Sequence, residues 1–172
     1  MLYYTPAYVQ SWLDDVQQQH VVVSDDFNWH GLAQGATSHA YTALEQGQPD
    51  AALAWAHIAV RVYNRLVHQA DTDARDHYEC AAMMLRAHII RALGAMPGHP
   101  LLDVASIEQW FLERLPVSSA DVPNEQVRSI QQLKQLRALK NRLAVVVALV
   151  EAGYFADNVI LKEWVARRAA LP

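Results

Sequence analysis

Outside the long helical pattern that contains Leu143–Val150, one short run, Val21-Val22-Val23, is the only stretch of the chain with clear strand character. β-Branched residues favour strands, but a strand must pair, and no second candidate occurs anywhere in the sequence. A sheet is therefore excluded, and the run is expected to be a buried linker. Elsewhere the apolar residues recur at intervals of three and four, the period of an amphipathic helix.

Seven helical runs follow from that period and its stop signals. Thr5-Pro6 pairs a capping hydroxyl with a proline at the first helical position, predicting a helix over about 6–19 with Tyr8, Val9, Trp12, Leu13 and Val16 on its apolar side. Ser24, followed by Asp25-Asp26, is read as the cap of a second helix reaching Gln46. Gly31 and Gly35 fall inside that helix, where glycine costs up to about 1 kcal/mol against alanine, so a close neighbour or a break is expected there. Pro49-Asp50 opens a third helix to about Gln69. Asp71 caps a fourth that stops at Gly94, and Pro100 starts a fifth that Pro116 halts. Asn124 is read as the cap of a long sixth helix ended by Gly153. There Leu136, Leu139, Leu143, Val146 and Val150 form a heptad seam suited to packing along another helix. A last helix covers about 155–169.

The predicted fold is all-α: about seven helices in antiparallel hairpins, arranged as a repeat-like stack or a closed helical bundle. At 172 residues the chain fits a single domain, 1–172. Apolar residues at 52% and charged residues at 19% give the balance of a chain that folds. The N-terminus lacks a basic segment followed by an apolar run, and no window reaches the ~20 apolar residues that span a bilayer, so no membrane is expected and the setting is read as cytoplasmic. A single cysteine, Cys80, excludes an intrachain disulfide and suits a reducing compartment.

In "HAYTALEQGQPDAALAWAHIAV", His39–Val60, two helical runs meet at Gly47-Gln48-Pro49. So short a connection makes the helices antiparallel, and Ala40, Ala43, Ala51, Ala52, Ala56 and Ala59 allow their axes to approach closely. With Trp29, Leu32 and Ala33 upstream and Ala51 and Trp55 within it, the segment 28–60 resembles a tetratricopeptide repeat. The interval from Trp29 to Ala51 is longer than in that repeat, and no second copy follows. The resemblance implies a helical face that holds a segment of a partner protein.

Chemistry-bearing constellations are sparse. Eight histidines show no His-Glu-x-x-His and no i, i+4 pair, so no metal ligands and no cofactor are assigned, and no catalytic residue is named. Partner contact is assigned instead to Trp29 and Trp55, to the polar face His57, Arg61, Arg65 and His68, and to the basic residues Lys134, Arg137 and Lys140 of the sixth helix. Residues 125–151 hold five basic and two acidic side chains, whereas the rest of the chain holds nine and sixteen. A net charge of −4 and the absence of aromatics interleaved with that stripe argue against nucleic acid as the partner.

The functional expectation is a non-catalytic protein–protein interaction module, an adaptor, chaperone-like or regulatory protein, leaning away from an enzyme. The alternative is a helical-bundle enzyme or small-ligand binder gathering His57, His77, His88 and Cys80. A homodimer through the sixth-helix seam is compatible with either.

Overall fold

A computed structural model describes residues 4–115 and 129–171. Among the described residues there are seven α-helices and a short 3-10 turn, with no strand: the fold is all-α. The helices fall into two compact units, residues 1–69 and 70–172.

The first unit contains α1 (Pro6–Gln17), α2 (Trp29–Glu45) and α3 (Pro49–Gln69), with α1 and α2 both packed on α3. The helix ends follow the sequence signals closely where a cap is present. Thr5 Oγ1 accepts from the Tyr8 amide at 3.2 Å, with Pro6 at the first helical position. Between α2 and α3, Gly47 at φ +67° lets the Gly47 and Gln48 amides donate back to Leu44 O and Ala43 O. This is the paired closure that ends a helix with a left-handed residue. Pro49 then begins α3, so the hairpin turns within three residues. Ala33, Ala36, Ala40 and Ala43 of α2 and Ala52, Ala56 and Ala59 of α3 are all buried, as the expected close approach requires, while Ile58, Val62 and Tyr63 supply the bulk of the core.

Two readings are corrected here. α2 starts at Trp29, capped by Asn28, because Ser24 and Asp26 hydrogen-bond to each other instead of to a helix end. The Val21–Val23 linker is not buried as a whole, since Val22 is 93% exposed.

The second unit contains α4 (Thr72–Leu93), α5 (Val104–Leu112), α6 (Ile130–Glu151) and α7 (Val159–Arg167), followed by the 3-10 turn Arg168–Ala170. α6 is its centre: α4, α5 and α7 each pack on it. The heptad seam explains this. Leu136, Leu139, Leu143 and Val146 are buried, and over Val145–Leu149 every side chain is buried, as in a helix surrounded by others. α4 lies against α6, the partner that the heptad seam called for.

Three further boundaries differ from expectation. α5 begins at Val104 under an Asp103 cap, leaving Pro100 in a loop whose Leu101 and Leu102 are buried. α7 begins at Val159 under Asn158, later than residue 155, because Gly153 (φ +91°) and Phe155 (φ +61°) turn the chain first. α6 is capped by Ser129, whereas Asn124 and Arg128 lie outside the described residues.

Candidate functional site

In the first unit the residues assigned to partner contact divide between internal work and exposure. Trp29 is buried at 8% exposure. Its indole meets Trp12 (centroids 5.8 Å) and Phe27 (4.7 Å, edge-on), and Trp12 and Phe27 meet at 5.4 Å. The Arg65 guanidinium lies 4.1 Å from the Trp29 ring centroid, a cation–π contact of roughly 1–2 kcal/mol when partly shielded from water. Arg65 Nε is buried without a hydrogen-bond partner among the described residues.

Arg61 is committed elsewhere. It pairs with Asp14 at 2.7 Å and donates to Gln10 Oε1 (3.1 Å) and Gln17 Oε1 (2.8 Å), tying α1 to α3. The polar face read on α3 is thus partly covered by α1, and His57, Asn64 and His68 are its exposed members. Trp55, half-buried, stacks on His39 of α2 at 4.6 Å.

The exposed part of this aromatic system was not singled out from the sequence. Tyr4 and Tyr8 stack with ring centroids 5.3 Å apart, and each is 57% exposed. Tyr8 and Trp12 are spaced i, i+4 on one flank of α1, Tyr4 stacks on Tyr8 from just before the helix, and Trp12 meets Phe27, itself 36% exposed. The signal was present as that spacing. Reading Tyr8 and Trp12 as core positions alongside Val9 and Leu13 hid it; only Val9 and Leu13 are buried.

In the second unit Arg114, Lys134 and Arg142 form ion pairs. Arg142 clasps Asp76 (2.8 and 2.5 Å) and donates to Arg114 O, while Arg114 makes two hydrogen bonds to Glu79 (2.9 and 3.2 Å) and Trp110 Nε1 adds a third at 3.3 Å. Burial would raise the Glu79 pKa, but the hydrogen bonds from Arg114 and Trp110 and the charges of Arg114 and Arg142 outweigh it and hold the carboxyl below its usual range. Of the assigned basic stripe, Lys134 pairs with Asp73 at 2.5 Å on the surface, and Arg137 and Lys140 are exposed. Leu136, Leu139 and Leu143 are buried, so a dimer using that seam would have to open the unit.

His57 belongs to the first unit; His77, Cys80 and His88 belong to the second. Among the described residues no group of three or more His, Cys, Asp or Glu could hold a metal ion. Burial, with the Asp76 carboxylate adding to it, pushes the Cys80 thiol up to about 12, the direction opposite to that of a nucleophile. Among the described residues no helix is long and apolar enough to cross a membrane.

Arg86, which sequence reading passed over, is buried at 6% exposure and donates to Leu101 O, Asp103 O and Ser106 Oγ. Its guanidinium fastens the loop before α5 to α4. Comparison with known proteins finds no matching family, no curated relative and no solved structure that resembles this chain.

Proposed function

We propose that this chain is a non-catalytic protein-interaction module, acting as an adaptor, chaperone-like or regulatory protein, and that the aromatic flank of the first unit is its contact surface. One observation carries the reading: two stacked, majority-exposed tyrosines adjoin a Trp12–Phe27–Trp29 cluster whose members fix one another. Tyrosine and tryptophan dominate interface energetics because they bury large area with few rotamers to freeze, and a pre-ordered patch loses little entropy on binding. The α2–α3 hairpin, with its tetratricopeptide-like residues, is the frame. His57 and His68 on α3 are further contacts in this proposal, and Arg65 sets the position of Trp29. A cytoplasmic setting belongs to the same proposal. The alternative built on Cys80 gains no support from a thiol held protonated at neutral pH.

Site-specific photocrosslinking tests the surface. With a photoreactive phenylalanine at Tyr8, irradiation of cells producing the protein is expected to yield one discrete adduct, and the same group at Gln46 in the hairpin turn none. No adduct from Tyr8, or the same adducts from both positions, would sink the reading.

A further inference from the structure

The second unit carries a surface of different chemistry. α5 turns Ile107, Trp110 and Phe111 inward, so the i, i+3, i+4, i+7, i+8 series Ala105, Glu108, Gln109, Leu112 and Glu113 is left on its outer side. A shallow depression runs along that series. A second depression shares Ala105 and Glu108 with it and extends to the connection between α6 and α7. Val159 and Ile160, 65% and 51% exposed in the first turn of α7, line the extension with Phe155. Water-facing apolar side chains of this size in one concave strip are a feature of binding grooves.

The charge along the strip has one sign. The ionisable residues lining the two depressions are Glu108, Glu113 and Asp157, all carboxylates. Glu108 is oriented by the side-chain amide of Asn158, and Glu113 accepts from Gln109 at 2.8 Å and lies 3.7 Å from Arg114. An isologous contact with a second copy would set these carboxylates against themselves, which opposes a symmetric dimer here.

We propose that this groove receives a basic amphipathic helix from a partner protein, its apolar side chains on Val159, Ile160 and Leu112 and its Lys or Arg side chains on Glu108, Glu113 and Asp157. The groove belongs to the second unit and the aromatic flank to the first, and the proposal does not depend on that flank being a contact.

The full chain is titrated against a fluorescent helical peptide of leucine on one face and lysine on the other, and against its counterpart with glutamate in place of lysine. The lysine peptide is expected to bind. The pair Val159→Ser, Ile160→Ser and the triple Glu108→Gln, Glu113→Gln, Asp157→Asn are each expected to weaken it about tenfold or more. Thermal melts confirm that the variants fold, and Val159 and Ile160 are exposed enough for that pair to do so. A second triple in the first unit, Asp25→Asn, Glu45→Gln, Asp50→Asn, controls for general attraction to an acidic protein. An equal loss from that control, equal binding of the two peptides, or binding unchanged by both groove variants would overturn the proposal. So would a concentration-dependent oligomer that Val159→Ser, Ile160→Ser dissociates, since the occupant would then be a second copy, with the exposed Ile130, Leu133 and Arg137 of α6 the matching face.

Discussion

Single residues show where a local rule meets its surroundings. The sequence offered two glycines in the second helix with one expectation, a close neighbour or a break, and the structure separates them. A Cβ on Gly31 would come within 2.5 Å of Asn28 Nδ2, the side chain whose Oδ1 takes the Gly31 N–H at 2.8 Å and caps the helix. Gly31 is therefore tied to the cap. A Cβ on Gly35 meets nothing within 4 Å, so no packing reason for that glycine exists in this unit. Gly35→Ala is expected to raise stability by about 0.5–1 kcal/mol through helix propensity and a less flexible unfolded chain. In urea unfolding Gly31→Ala should show no such gain, because it displaces the cap. Arg86 works in the opposite direction. Arg86→Leu would leave the buried Leu101 carbonyl without its donor and remove one partner each from the part-buried Asp103 carbonyl and Ser106 hydroxyl, which still bond to each other at 2.8 Å, and a loss of roughly 1–3 kcal/mol is expected from the same measurement. A stability within 0.5 kcal/mol of the parent, on the order of a neutral surface change, would contradict that account. Arg86 could not be found from the sequence because its acceptors are two backbone carbonyls and a serine, none of which a charge pattern displays.

At the level of elements, a cap or proline was a good guide only where nothing nearby competed for it. α1 opens at Pro6 after Thr5, α4 runs from its Asp71 cap to Gly94, and the turn between α2 and α3 leads into Pro49, all as expected. Ser24 and Pro100, signals of the same kinds, did not open helices, because Ser24 and Asp26 satisfied each other and Pro100 entered a loop held by Arg86 and by His99, whose Nδ1 accepts from the Leu101 and Leu102 amides. The faces of α3 were legible on the side packed by α2, where alanines mark the contact. The side packed by α1 was not, since Gln10, Asp14 and Gln17 are polar and gave no sign of meeting Arg61. That contact makes a prediction at its own scale. Arg61→Glu would set a carboxylate beside Asp14 and forfeit the bonds to Gln10 and Gln17, costing about 1 kcal/mol after allowance for solvent screening of a partly exposed pair. Hydrogen exchange should then accelerate in α1 before α2. Uniform exchange with unchanged stability would mean that Arg61 does not hold α1.

For the molecule as a whole, the all-α class followed from periodicity and from one unpartnered strand-like run, whereas the grouping of helices into residues 1–69 and 70–172 depends on contacts distant in sequence that no period encodes. The exposed surfaces were the least legible part, because exposure is decided by what packs beside a residue: Val159 and Ile160, apolar residues of the last helix, are open, and Trp29, assigned to partner contact, is buried. The same grouping decides where acid acts. Burial first, and the Arg91 charge second, lower the His88 pKa from its ordinary 6.5. Below that value the unfolded chain gains a proton the folded chain resists, so stability falls as pH drops from 6.5 toward the lowered pKa. Glu79, held below 4.5 by Arg114 and Trp110, contributes stability above 4.5 that is lost as pH falls through its folded value. Both shifts have the same sign and both residues lie in the second unit. Urea unfolding at a series of pH values is expected to show stability declining in two stages on acidification, the upper stage flattened by His88→Gln and the lower by Glu79→Gln. Hydrogen exchange at mildly acid pH should place the first loss of protection in α4 and not in α2 or α3. Stability that held or rose between pH 6.5 and 4.5 would remove His88 from this account, stability that held as pH fell below 4.5 would remove Glu79, and protection lost first from the α2–α3 hairpin would show that neither governs the response.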